Sequence, residues 1–72
     1  TTVELGHTVT VATNGEERTF QILGSSETDP SRGVISHQSP IGSALLGHQI
    51  GDVVTVTIGS KQTNYTILAI TV

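Results

Sequence analysis

The sequence predicts an α+β domain, in which a mainly antiparallel β-sheet carries one short α-helix across a face. Three observations lead to this fold class. Val, Ile and Thr alternate with polar residues near both ends of the chain, which is the pattern of half-buried strands. An Asn-Gly pair at positions 14 and 15 separates two such runs, and residues 39–47 have the spacing and capping residues of a helix. With 72 residues, the chain is long enough for a single small domain.

The first two strands are predicted to form a hairpin around Asn14 and Gly15. Both residues tolerate the positive φ angles of a type I′ turn. This turn would pair Val9 with Phe20, so that apolar side chains of both strands share one face. On the first strand, that face is formed by the odd-numbered residues Val3, Leu5, His7, Val9 and Val11. The polar, turn-forming residues 24–33 are expected to form an exposed loop.

A short strand and a two-turn helix are predicted in the middle of the chain. The strand is expected at Val34–Ser36. Ser39 can cap the free backbone N–H groups of a helix, and Pro40 suits its first position. Gly47 supplies the expected left-handed stop. The apolar face of this helix, at i, i+3, i+4 spacing, consists of Ile41, Ala44 and Leu45.

Two further strands are predicted, at Asp52–Ile58 and Gln62–Val72, joined by a tight turn at Gly59. In the last strand, four consecutive apolar residues at 67–70 predict a central strand that is covered on both faces near its end. The predicted core brings strands and helix together through Phe20, Ile22, Leu45, Val54, Val56 and Ile67.

Charge and composition argue against several classes of function. The net charge is −3, and only Arg18, Arg32 and Lys61 are basic, whereas nucleic-acid binding needs clustered Lys or Arg. The chain has no cysteine, so it can form neither a disulfide nor a thiolate metal site. No apolar run approaches the roughly 20 residues of a membrane helix. We therefore expect a domain that binds neither nucleic acid nor a membrane.

The residues that could carry chemistry do not form a catalytic or metal-binding pattern. The three histidines lack ligand spacing, and His7 is expected to be packed and hydrogen-bonded on the apolar face. No serine lies in a nucleophile-elbow motif, and the eight glycines form no phosphate-binding cluster. Solvation and turn formation account for the acidic pair Glu27 and Asp29. No catalytic residue, metal or cofactor is predicted, and the residues favour a binding or structural module over an enzyme.

A longer series of segments gives a more specific indication. The segment at 35–47 reads ISHQSPIGSALLG, and the segment at 51–56 reads GDVVTV. Around them lie ILG at 22–24, ETDP at 27–30, GVIS at 33–36 and NYTILAI at 64–70. In this order and spacing, the segments resemble the C-terminal domain of the bacterial transcript-cleavage factors GreA and GreB. The resemblance extends over nearly the whole chain.

The resemblance implies an FKBP-like fold and a cytoplasmic function in transcription elongation. Members of this family have an N-terminal coiled-coil hairpin and a C-terminal domain that docks on RNA polymerase. Docking is expected at the rim of the secondary channel, against the coiled coil of the β′ subunit. The hairpin then reaches the active site, and the polymerase cleaves backtracked RNA. The acidic residues that act in cleavage belong to the hairpin, so none of the six acids of this chain is assigned that role.

The resemblance also implies which residues bind the partner. They are the start of the helix, the segment before it and the acidic loop: Glu27, Asp29, Ser36, Gln38, Ser39, Pro40 and Ile41. Three positions depart from the family pattern. Gln38 stands where several relatives have Asp or Asn, and His48 stands where Lys is common. The turn after Ile58 lacks the usual Pro-Gly.

Two alternative functions stay open, and a third is disfavoured. The chain could belong to a Gre-like regulator, or to a nucleotide-metabolism regulator with the same C-terminal domain, that binds polymerase without stimulating cleavage. Prolyl isomerisation, suggested by the FKBP relation, needs a deep aromatic pocket, which Phe20 and Tyr65 alone cannot line. Because the chain has no Met and begins at Thr1, we expect a fragment that lacks the N-terminal coiled coil, although removal of an initiator Met would also leave Thr first.

Overall fold

A computed structural model describes residues 2–24 and 28–72 of the chain. The predicted element order is confirmed, with one addition, a 3-10 turn at Pro30–Arg32 within the predicted loop. The strands are β1 (Thr8–Thr13), β2 (Glu16–Leu23), β3 (Val34–Ser36), β4 (Val53–Ile58) and β5 (Lys61–Thr71), and the helix is α1 (Pro40–Leu45). Within the described ranges, no helix is long and apolar enough to cross a membrane.

The five strands form one sheet in the order β3-β2-β1-β5-β4. Three of the four strand pairings are antiparallel, and the pairing of β2 with β3 is parallel. The predicted α+β class with a mainly antiparallel sheet is therefore confirmed. The helix packs against β4 and β3, on the face of the sheet that carries the core.

The first hairpin has the predicted turn and register. Asn14 and Gly15 have φ angles of 51° and 78°, as a type I′ turn requires. Val9 lies opposite Phe20, and Thr13 opposite Glu16. The hairpin is therefore determined by local sequence, since turn chemistry and apolar alternation select the same register.

The first strand begins later than predicted. A turn at residues 4–7 precedes it, in which the N–H of His7 donates to the Glu4 carbonyl over 3.1 Å and Gly6 has a φ of 88°. The turn breaks the alternation, so Leu5 is 53% exposed instead of buried. Val3 still reaches the core, because its own backbone is bonded to the segment after α1.

Five of the six residues predicted to form the core are buried, and Phe20 is the exception. Phe20 packs against the core but is only partly buried, because α1 lies over β3 and β4 and leaves this part of β2 uncovered. The buried apolar residues are Val3, Val9, Val11, Ile22, Ile35, Leu45, Val54, Val56, Tyr65 and Ile67.

The apolar run in β5 is explained by a β-bulge, which corrects the prediction of burial on both faces. Thr10 lies opposite Ala69, while Val11, the next residue, lies opposite Ile67. Leu68 is the extra residue of the bulge and is 41% exposed. The inserted residue lets Ile67 and Ile70 both turn toward the core face, whereas Leu68 and Ala69, which lie between them, are exposed. As predicted, β5 is a central strand, between β1 and β4.

Gly47 ends the helix as predicted, although through a separate turn. Leu46 has φ and ψ angles of −58° and 135°, and Gly47 has a φ of 82°. These are the angles of a type II turn, which the N–H of His48 closes by donating to the Leu45 carbonyl over 3.2 Å.

Candidate functional site

The predicted binding residues within the described ranges lie along one margin of the molecule, from the turn before β3 to the first turn of α1. β3 is an edge strand, and its parallel pairing with β2 sets Ser36 opposite Leu23. The N–H of His37 extends this pairing by donating to the Leu23 carbonyl over 2.9 Å. Glu27, the remaining predicted residue, lies outside the described residues.

Two serines hold the chain between β3 and α1 in a single conformation. The Ser39 hydroxyl donates to the Ser36 carbonyl oxygen over 2.7 Å and accepts the N–H of Gly42 over 3.0 Å. The backbone N–H of Ser39 donates to the same Ser36 carbonyl over 3.0 Å. Ser39 has an extended backbone, as an N-cap residue requires, and Pro40 occupies the first turn. The predicted cap is therefore present, and it also fixes the end of β3.

Gly42 is a residue whose role the sequence reading missed. It is buried in the first turn of α1, and a Cβ atom at this position would collide with the carbonyl oxygen of Ser36. Only glycine therefore lets the helix approach β3 this closely. A glycine inside a predicted helix is the signal that could have indicated such a close approach.

The outward surface of this margin is formed by Gln38 and Pro40, whose side chains are exposed. The backbone of Gln38 is nevertheless fixed, because its N–H donates to the Ser36 hydroxyl over 3.0 Å. Ile41 is half-buried and packs against the core. The segment therefore presents a polar amide and an apolar ring on a rigid backbone. His37, which the sequence reading did not assign to the site, has a buried Nδ1 without a hydrogen-bond partner in the described part of the chain.

Asp29 lies beside the start of β3 and is engaged within its own turn. Its backbone forms a bridge with Val34, in which each residue donates its N–H to the other's carbonyl. Its carboxylate accepts the hydroxyl of Ser31 over 2.6 Å, and Oδ2 lies 3.7 Å from Nε of Arg32. Since strand residues are spaced by about 3.3 Å, Asp29 sits about 7 Å along the strand from Ser36. Asp29 and the helix start therefore border the same strand without a contact between them.

The three histidines lie outside any cluster of three metal-ligating side chains in the described part of the chain. In the ranges 2–24 and 28–72, no three His, Asp or Glu side chains lie close enough together to hold a metal ion. His7 is buried, and its Nδ1 accepts the backbone N–H of Glu4 over 3.2 Å, which fixes the proton of the neutral ring on Nε2. Its prediction as a packed, hydrogen-bonded core residue is confirmed.

The two aromatic residues line one open concavity of about 310 Å³. Ile41, in the first turn of α1, also lines it. Charged residues also line it, among them Arg18 and Lys61. The concavity thus reaches the helix start through Ile41 and is otherwise bordered by residues of the β1–β2 hairpin and of β5.

Comparisons with known proteins relate the whole chain to one family. The family model described as "Transcription elongation factor, GreA/GreB, C-term" matches residues 1–72. The chain is 46% identical over 71 residues to the transcription elongation factor GreA of Listeria welshimeri, which covers 96% of this chain and 44% of that protein. It is 54% identical over 56 residues to GreA of Bacillus licheniformis, covering 75% and 35%. The chain therefore spans less than half the length of these relatives.

Solved structures show the same fold. GreA factor homolog 1 of Thermus thermophilus superposes with a TM-score of 0.83 at 30% identity, covering 97% of this chain and 48% of that chain. The GreA/GreB elongation factor from Nitrosomonas europaea superposes with a TM-score of 0.81 at 29% identity, covering 100% and 62%.

Proposed function

Because this chain belongs to the GreA/GreB family of transcription elongation factors, as a C-terminal domain of that family, we propose that it docks an elongation factor onto RNA polymerase. The contact is made with the β′ coiled coil at the rim of the secondary channel, and the complete factor promotes cleavage of backtracked RNA in the cytoplasm. The domain itself is not an enzyme and takes no cofactor. Its contribution is to bind RNA polymerase and to orient the elongation factor on it.

The fixed conformation of the helix start is the observation that supports this proposal most. Ser36, Ser39 and Gly42 hold the backbone through three hydrogen bonds of 2.7 to 3.0 Å and one close contact. The exposed side chains of Gln38 and Pro40 are carried on that backbone. A binding surface that is already ordered loses little conformational entropy when a partner binds.

Charge supports a basic partner at the neighbouring turn. The Asp29 side chain is about half exposed, and its ion pair with Arg32 is long, at 3.7 Å. Exposed pairs of this kind contribute little stability, so a basic group of the partner can replace Arg32 at small cost. Glu27 is proposed to add a second acidic group to the same surface.

The domain is expected to bind weakly when isolated. The domain measures 28 × 27 × 19 Å. A stable interface buries about 800 Å² on each partner, and one margin of so small a domain offers less area than that. The coiled-coil hairpin of a complete factor would supply a second contact and raise the overall affinity.

A competition experiment tests the proposal. The domain is added in excess to bacterial RNA polymerase that carries labelled full-length GreA of Bacillus licheniformis, and release of the label is measured. We expect displacement by the unchanged domain. Pro40→Ala should weaken it by about 1 kcal/mol, that is about fivefold. Asp29→Lys should weaken it further, because it places a like charge against a basic partner.

The control is Thr57→Ala, an exposed position on β4, far along the sheet from β3. This variant should displace GreA as well as the unchanged domain does. Equal losses in all three variants would indicate unfolding and leave the assigned surface without support. If the unchanged domain displaced nothing, the docking proposal would be wrong for the isolated domain.

A factor that binds polymerase without stimulating cleavage is the second candidate. The fold does not separate it from the first candidate, since the chain superposes on a protein named GreA factor homolog 1 and on the Nitrosomonas europaea elongation factor with TM-scores of 0.83 and 0.81. A cleavage assay on stalled elongation complexes with the complete factor separates the two candidates. Both require the same docking surface, so the competition experiment applies to either.

A further inference from the structure

The N-terminal half of β2 has a backbone edge without a strand neighbour in the described part of the chain. β1 pairs with β2 from Glu16 to Gln21, whereas β3 pairs only with Gln21–Leu23. Alternation in the antiparallel ladder turns the N–H and C=O groups of Glu17 and Thr19 away from β1. Gln21 follows the same alternation, and its outward N–H donates to the carbonyl of Gly33, the residue before β3.

Gly33 leaves this edge open. It accepts the N–H of Gln21 at 2.7 Å and lies so close to β2 that a Cβ atom would come within 2.5 Å of the Thr19 carbonyl oxygen. With a φ of 78°, it turns the chain between the 3-10 turn at Pro30–Arg32 and β3, so that the residues before it do not pair along β2. The N–H of Thr19 and both backbone groups of Glu17 therefore have no partner in the described ranges.

A concavity of about 320 Å³ adjoins these groups. The β2 residues 17–20 form one side of it, and Ser31, Arg32 and Gly33 form the other. A further strand would lie about 4.8 Å from β2, within this space. The edge and the concavity together have the geometry that accepts a short extended peptide by strand addition.

The charges around the concavity favour an acidic peptide. Two cationic side chains, Arg18 and Arg32, line it against one carboxylate, that of Glu17, and they are two of the three Lys and Arg residues in a chain of net charge −3. Arg18 lies 3.4 Å from Glu16, and Arg32 lies 3.7 Å from Asp29, with all four side chains substantially exposed. Exposed pairs of this kind are weak, so both guanidinium groups are available to a ligand carboxylate.

The same charges disfavour a second copy of this chain at the edge. Two β2 strands that pair antiparallel through their outward groups would align Glu17 with its own copy, or Arg18 with its own copy. Like charges directly opposite each other destabilise a strand pair. A register centred on Thr19 would meet the chain at Gly33, which already covers the Thr19 carbonyl.

We propose that the β2 edge at Glu17–Thr19 binds a short, extended, acidic peptide segment of a partner protein. The peptide pairs with the Glu17 backbone and with the Thr19 N–H, and its carboxylates lie near Arg18 and Arg32. This site is distinct from the surface at Gln38 and Pro40 and does not depend on the docking function proposed above.

The experiment is a titration of the ¹⁵N-labelled chain with a capped hexapeptide of alternating valine and aspartate. We expect saturable shifts of the backbone amides of residues 17–19 and slower hydrogen exchange at Glu17 and Thr19. Arg18→Gln and Arg32→Gln should each weaken binding by about two- to fivefold, the usual effect of an exposed charge pair. Lys61→Gln, the matched change at the remaining cation, should leave binding unchanged.

Two altered peptides test the two parts of the proposal. A peptide methylated at alternate backbone nitrogens should not bind, because it cannot form the ladder, and lysine in place of aspartate should weaken binding. Undiminished binding of either peptide would overturn the proposal, as would shifts confined to residues 38–41 or an equal loss in Lys61→Gln. Amide shifts at residues 17–19 that depend on protein concentration without peptide would identify a second copy as the occupant and also overturn it.

Discussion

The Cα atom of Gly42 lies against the carbonyl oxygen of Ser36, so that the first turn of α1 touches the end of β3 without any side chain between them. The same carbonyl accepts two hydrogen bonds from Ser39. The Ser36 carbonyl oxygen therefore fixes the backbone of the candidate binding surface through its contacts with Ser39 and Gly42.

Gly42→Ala should destabilise the domain, although alanine is the better helix former. The added methyl group would meet a backbone oxygen that cannot move without breaking the Ser39 hydrogen bonds. We expect a loss of about 1–3 kcal/mol in the free energy of unfolding, the usual cost of overpacking. Urea unfolding followed by circular dichroism measures it, and Ser43→Ala at an exposed helix position is the control. An increase in stability for Gly42→Ala would show that the close contact is absent.

Ser39→Ala should destabilise the domain more than Ser39→Asp does. Alanine removes both the cap to Gly42 and the donor to the Ser36 carbonyl, and we expect a loss of about 1–2 kcal/mol. Aspartate keeps the acceptor for the Gly42 N–H but cannot donate, so its loss should be smaller. Denaturant midpoints of both variants test this order, and an aspartate variant less stable than the alanine variant would contradict it.

Leu45→Ala should be among the most destabilising changes in the chain. Leu45 is the fully buried residue by which α1 enters the core. Large-to-small core substitutions of this type cost about 2–5 kcal/mol, which is a large part of the stability of a small domain. The same substitution at Leu68, which is 41% exposed in the bulge of β5, should cost under about 1 kcal/mol. Similar thermal midpoints for the two variants would disprove the assignment of the core face.

Asp52 should stabilise the fold in its ionised form. Its Oδ2 accepts the N–H of Gln49 over 2.9 Å and lies 3.2 Å from Nδ1 of His48. These two contacts, the backbone hydrogen bond first, hold the pKa of Asp52 below its usual range. A depressed pKa means that the contribution is present above the ordinary aspartate pKa of about 3.9 and is lost as the pH falls through the lower, folded value.

The corresponding measurement compares the unchanged chain with Asp52→Asn in urea unfolding between pH 7 and pH 2. The variant should be less stable at pH 7, and the difference should shrink as the pH falls toward 2, because the carboxyl becomes protonated as the pH passes through its lowered pKa. Asp29→Asn provides a comparison at another half-exposed carboxylate. A difference for Asp52→Asn that stays constant over the whole range would show that the charge has no role.

The parts of the fold that could be predicted from sequence are those determined by neighbouring residues. The Asn14-Gly15 turn and the Ser39-Pro40 helix start depend on local backbone preferences, and both were found as predicted. The bulge at Leu68 and the parallel pairing of β3 with β2 could not be predicted. Both depend on which distant strand lies alongside, and alternation alone carries no information about that choice.

The candidate site was likewise predictable only where neighbouring residues determine its structure. Ser39 and Pro40 were recognised as a cap because the cap is local. The contact between Gly42 and Ser36 was missed because it requires the helix to fold back over β3. That Asp29 faces a partner stays a prediction. The hydrogen bond of its carboxylate with Ser31 and its ion pair with Arg32 could not be predicted, because they depend on the geometry of a 3-10 turn within the predicted loop.

The backbone bonds of Val3 give the domain a particular mechanical layout. Its N–H donates to the His48 carbonyl, and its carbonyl accepts the N–H of Gly47, both over 2.9 Å, so the first residues are fastened to the exit of α1 before the chain enters the sheet. The entrance of α1 is the candidate binding surface, and six residues rising 1.5 Å each separate the two ends by about 9 Å. A displacement of the chain near Val3 therefore acts on one end of this short helix, and the candidate binding surface lies at its other end.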